Sequence, residues 1–140
     1  LDRPLRVYVS FDMVPRRQIS SCEKALQAAQ QIWSEATEGS TQFERVNEAS
    51  EADVKLIFKP QVLQSGVPVG GLVDWSRSIV YRDEMPGDQT TANVSIRTSM
   101  PSSSRWMRFE HMRHEIAHEL GHVLGRKVGI HVQDEGREAH

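Results

Sequence analysis

From His111 to Gly125 the chain carries four histidines and two glutamates at spacings of three and four, and no other stretch constrains its fold as much. Taking ~100° per residue, His111, His114, Glu115, His118 and His122 share a sector roughly 100° wide. Ile116, Leu120, Val123 and Leu124 fall largely outside that sector. A helix divided in this way buries its apolar side on a core and turns a row of imidazoles toward a cleft. The pattern predicts a helix from about Arg105 to Leu124, closed by Gly125 in the left-handed conformation. All six histidines lie in the last thirty residues, so none is spent elsewhere.

The upstream residues say what this helix packs on. Leu5 to Phe11 alternates apolar and polar residues, as a half-buried strand does. After Pro15 and the Ser20-Ser21 pair, Ser21 is the expected N-cap of a helix with the stripe Leu26, Ala29, Ile32 and Trp33, ended by Gly39. Thr41 to Val46 and Asp53 to Phe58 read as strands, the second stopped by Pro60. Gln61 to Gly71 reads as a loop by its glycines and Pro68. Leu72 to Trp75 and Ser78 to Tyr81 are short extended segments. Asp83 to Thr90, with Pro86-Gly87, is a second loop, and Ala92 to Thr98 a last strand. The order β-α-β-β-β-β-α predicts one α/β (α+β) domain over residues 1–140: a mixed, mostly parallel twisted sheet with two long helices.

Composition narrows the functional classes. A chain of 140 residues buries roughly 70% of its unfolded surface and needs no disulfide scaffold. Net charge is −2 with dispersed basic residues, which argues against a nucleic-acid partner. No apolar run is long enough for a membrane helix, so no membrane partner is expected. Cys22, the single cysteine, opens a helix where a thiolate would be favoured, but no motif surrounds it and it reads as structural. Trp33 and Trp75 read as core. Asp83, Glu84 and Asp88 lack an ordered calcium-ligand spacing and read as a solvated acidic loop.

The histidine run holds two interlocked H-E-x-x-H motifs. On a helix such a motif points two imidazoles at one ion and sets a carboxylate beside it. In one register His114 and His118 bind, with Glu115 as base; in the other His118 and His122 bind, with Glu119 as base. His118 cannot serve both, so a single zinc ion is expected. The second register is preferred because Gly125, seven residues after His118, offers a turn that brings a third ligand back. His114 and Glu115 then stand as hydrogen-bond partners behind the ligands.

The segment from His118 to Gly125 resembles the active-site helix of metzincin metallopeptidases, especially matrixin-like and astacin-like members, whose pattern is H-E-x-x-H-x-x-G-x-x-H. Upstream, the order of strands and helix is similar to that of the family's zincin-like N-terminal subdomain. The resemblance implies a zinc-dependent endopeptidase with His118 and His122 as zinc ligands and Glu119 as general base. It also implies a peptide or protein substrate paired along an edge strand near Leu72–Trp75 or Ile79–Tyr81, and a secreted or extracytoplasmic location.

Two features depart from the pattern. Val128 stands where the third histidine belongs, and the last methionine, Met112, precedes the motif, so the family's methionine turn is missing. The C-terminal subdomain is therefore expected to be truncated or minimal. His131 is the nearest substitute ligand, with Asp134 and Glu135 as weaker ones; the other reading of His131 is an exposed tail histidine. The alternative function is a degenerate, non-catalytic metzincin-like domain that binds zinc or a protein partner. Oligomeric state is not legible in the sequence.

Overall fold

The computed structural model describes residues 3–100 and 103–128. The third-ligand candidates His131, Asp134 and Glu135 lie outside the described residues, as does the side chain of Val128.

Strand β1 (Leu5–Ser10) leads through a single 3₁₀ turn into helix α1 (Ile19–Ala36). The helix starts two residues before the expected cap, so Ser21 is inside it, and Gln18 at the N-cap makes no side-chain capping bond. Its far end is a Schellman motif: Gly39 N–H donates to Ser34 O at 2.7 Å and Glu38 N–H to Glu35 O at 3.1 Å. The left-handed residue of that motif is Glu38 (φ 53°), one position before the glycine expected to end the helix.

Strands β2 (Phe43–Arg45) and β3 (Val54–Lys59) follow, then a small hairpin of β4 (Leu63–Gln64) and β5 (Val67–Pro68) inside the predicted loop. Next, β6 (Gly71–Arg82) and β7 (Met85–Arg97) form one long antiparallel hairpin. This corrects the sequence reading of two short segments and an Asp83–Thr90 loop. The turn is only Asp83-Glu84, both at positive φ (53° and 64°), as a two-residue type I′ connection requires. Pro86 and Gly87 are strand residues. Proline is tolerated there because β3 pairs β7 only from Ala92 onward, leaving the outer part of β7 bonded on one side alone.

The main sheet has the order β2-β1-β3-β7-β6, parallel except for β6 at the edge. It is a mixed, mostly parallel sheet with two helices, as expected. Register aligns Val7, Val54 and Ala92, then Leu56 and Val94, then Phe58 and Ile96, so their side chains form rows on one face. Those rows join Leu26 and Ala29 of α1 and Ile116, Leu120, Val123 and Leu124 of the last helix in one buried core. Trp33 packs at its margin and donates Nε1–H to Ala117 O at 2.8 Å, tying the two helices together.

That last helix, α2, spans Phe109–Val128, shifted by four residues at each end from the expected Arg105–Leu124. At its start the backbone is still extended: Met107 N–H donates to Thr98 O, and Trp106 bridges Ser99. At its end Gly125 does not take a positive φ and the helix passes through it. Tertiary contacts hold the extra turn. Arg126 stacks 4.2 Å over the Trp75 ring, and Lys127 Nζ donates to Thr90 O at 2.7 Å. Cation–π stacking and basic residues in a last helical turn are each favourable by ~1 kcal/mol, enough to offset a glycine in the helix.

Candidate metal centre

Helix α2 lies along the inner face of β6. Gly71, Val73 and Trp75 share the face that also carries Ala92, Val94 and Ile96 of β7. Glu119 sits beside Gly71, and two turns on Arg126 covers Trp75. The apolar side of α2 is fully buried. His118 and His122 are half-buried, and His111 and His114 are exposed. The division of the helix into a buried apolar face and a less buried histidine face therefore holds.

The two registers separate in the geometry. His118 Nε2 and His122 Nε2 stand 3.3 Å apart, with the rings nearly perpendicular (86°). Two nitrogens each ~2.0–2.1 Å from one tetrahedrally coordinated zinc would be separated by about 3.3–3.4 Å. The imidazole pair thus fits the ion before any rearrangement. His114 instead stacks on His118 with ring centroids 6.5 Å apart and an 18° interplanar angle. Among the described residues, the one group of three donors able to surround an ion is His118, Glu119 and His122, with atoms within 4.8 Å of one another.

Glu119 is fully buried. Keeping a carboxylate out of water is costly unless charge or hydrogen bonds compensate it, and a cation held by the adjacent imidazoles would add to that compensation. The backbone at the start of β6 stands directly against the acid. A β-carbon on Gly71 would stand 2.8 Å from Glu119 Cγ, and one on Gly70 would stand 2.5 Å from Glu115 Cδ. Two consecutive glycines let the start of β6 approach α2 closely enough to touch both acidic side chains.

Gly70 and Gly71 were read from sequence only as loop formers. The signal that could have found them is a glycine pair directly before an alternating strand, which marks close backbone approach. The structure brings together the donors of the preferred register, His118, Glu119 and His122, but the turn first given as the reason for that preference is not there. Gly125 makes no turn, so it does not bring a ligand back toward the ion.

The remaining candidates are structural. Cys22 is completely buried in α1, and burial, with a smaller push from the Glu23 charge, raises its thiol to about 12. Asp83 and Glu84 form the hairpin turn, while Asp88 pairs with Arg77, so no calcium loop is assembled among them. No helix among the described residues is long and apolar enough to cross a membrane. No protein-family model matches this chain, and no curated protein matches it.

Proposed function

We propose that this protein is a zinc-dependent endopeptidase with a metzincin-like, zincin-type domain. The observation that carries this reading is the 3.3 Å separation of His118 Nε2 and His122 Nε2, beside the buried carboxylate of Glu119. His118 and His122 would hold zinc, with His131 as the third ligand. Zinc bound there supplies a Lewis acid that polarises a carbonyl and lowers the pKa of water toward ~7.

The chain's own groups do the proton work. Glu119 accepts a proton from the attacking water as its oxygen bonds to the peptide carbonyl carbon. It then delivers that proton to the amine nitrogen as the C–N bond breaks, which returns the carboxylate to its starting state. Enclosure of Glu119 by Gly71 orients the carboxylate and keeps bulk water from it. The outer edge of β6 pairs with no other strand among the described residues, and its backbone groups can take an extended peptide by strand addition.

The deciding experiment is Glu119→Gln on zinc-loaded protein, read by metal content and by cleavage of a broad peptide library. Retained zinc with cleavage lost supports the proposal. Retained cleavage refutes Glu119 as the base.

One observation favours the second reading, a non-catalytic metzincin-like domain binding zinc or a protein partner. Helix α2 continues to Val128, so residues 126–128 run along the helix axis instead of turning under the imidazoles. In that case the peptide library shows no chelator-sensitive cuts even with the wild-type chain.

A further inference from the structure

A cavity of about 580 Å³ opens where three parallel strands end. Its walls are the segments leaving them: Met13 and Pro15 after β1, Pro60 and Gln61 after β3, Thr98 and Ser99 after β7. Strand order turns back here, because β2 lies on one side of β1 and β3 on the other. Crevices outside the carboxyl ends of strands, at such a reversal, are where open α/β sheets bind ligands.

Arg97, the last residue of β7, lines this cavity and is 3% exposed. Its Nε donates to Ser99 O at 2.7 Å and its Nη2 to Met100 O at 3.3 Å. Its Nη1, closed off from bulk solvent, has no acceptor among the described residues. The ion pairs found among those residues involve Arg3, Arg6, Arg45 and Arg77 instead. Among the described residues, no acidic side chain lines the cavity. A guanidinium buried this deeply without a counter-charge is costly, and an anion is what removes that cost. Ser103 and Ser104 also line the cavity. Ser103 Oγ accepts from Arg105 N–H and keeps its own proton to donate.

We propose that this cavity binds a small oxyanion, a carboxylate or a phosphate, between Arg97 Nη1 and the hydroxyls of Ser103 and Ser104. The planar guanidinium fork suits both, since each offers two oxygens side by side. Because Nη1 is closed off from solvent, the guanidinium pivots into the cavity as the anion enters, giving up its longer bond, that to Met100 O. The proposal is independent of the metal centre, whose described residues His118, Glu119 and His122 do not line this cavity.

The test titrates the whole chain with inorganic phosphate and, separately, with acetate, at ionic strength held constant by chloride. Nuclear magnetic resonance follows the Arg97 Nε–H and the backbone amides around it. Saturable shifts centred on Arg97, Ser103 and Ser104 support the site; phosphate alone or acetate alone identifies the ligand's source. Arg97→Gln is expected to weaken binding at least tenfold. Gln61→Glu, an exposed rim position that adds a competing carboxylate, is expected to do the same without disturbing the core. Shifts that do not saturate, that chloride reproduces, or that centre on the histidine row or on Arg3 and Arg82 overturn the proposal. So does unchanged affinity in both variants, or in Gln61→Glu alone where Arg97→Gln does not fold.

Discussion

Gly71 and Glu119 are packed so closely that a β-carbon on the glycine would stand 2.8 Å from Cγ and Oε2 of the glutamate. Gly71 has no positive φ, so alanine fits its backbone and the strain falls entirely on this contact. Gly71→Ala is expected to destabilise the fold by about 1–3 kcal/mol, the usual range for overpacking. It should leave zinc content unchanged while lowering cleavage by up to ~100-fold, the effect of a displacement of ~1 Å in a reacting group. Denaturant midpoints, metal analysis and peptide cleavage measured on the same sample check all three. Wild-type values throughout would mean that the carboxylate moves aside freely.

The imidazole geometry separates the two registers experimentally. His118→Ala and His122→Ala are expected to abolish stoichiometric zinc binding, because each removes one of two nitrogens 3.3 Å apart. His114→Ala should keep its zinc, since that ring stacks beside the pair and stands outside the donor group. Metal content after dialysis is the readout. Zinc lost from the His114 variant and kept by the His122 variant would move the ion to the upstream motif.

Asp53 makes stability depend on acid. Burial pushes its carboxyl up and is the largest single influence. Hydrogen bonds from the Arg3 side chain and the Arg6 backbone, with both guanidinium charges, outweigh it and hold the carboxyl below its ordinary value. A carboxylate lowered in the folded state contributes stability that is fully present above about pH 4 and is lost as pH falls through the lowered value. Asp53→Asn is therefore expected to be less stable than wild type at neutral pH, with the gap narrowing below about pH 4. Denaturation midpoints between neutral and strongly acidic pH measure it. A gap that does not change with pH would show that the aspartate contributes through shape alone.

Cys22 reports on the opening of α1. With its thiol buried and pushed up to about 12, it should resist a water-soluble disulfide reagent at neutral pH. Labelling is expected to speed up only in denaturant, in step with global unfolding. Rapid labelling in native buffer would mean that α1 separates from the sheet on its own.

The parts of the fold legible in the sequence are those written in short-range periodicity. Alternation in Leu5–Ser10 and Val54–Lys59 and the Leu26, Ala29 and Trp33 part of the α1 stripe needed only neighbours within one or two turns, whereas Ile32, read into the same stripe, is exposed. Asp83-Glu84 defeated that reading because the turn uses two non-glycine residues at positive φ. Pro86-Gly87 defeated it because a proline signal does not tell whether the strand is bonded on one side or two. The missed hairpin thus depended on how far β3 reaches along β7, a fact about two segments more than thirty residues apart.

By itself the sequence determined that His118, Glu119 and His122 share one stretch of helix, because the i, i+4 relationship belongs to the backbone and needs no other part of the chain. It also determined which face of that helix is apolar. Tertiary structure alone decided which histidine pair converges, where the helix ends, and what encloses the carboxylate. Those outcomes depend on Gly71, Trp75 and Thr90, which meet α2 only after the β6–β7 hairpin has laid them along it. Packing between distant segments has no signature in local periodicity, which is why a turn at Gly125 was the natural expectation and a helix held by Trp75 is the result.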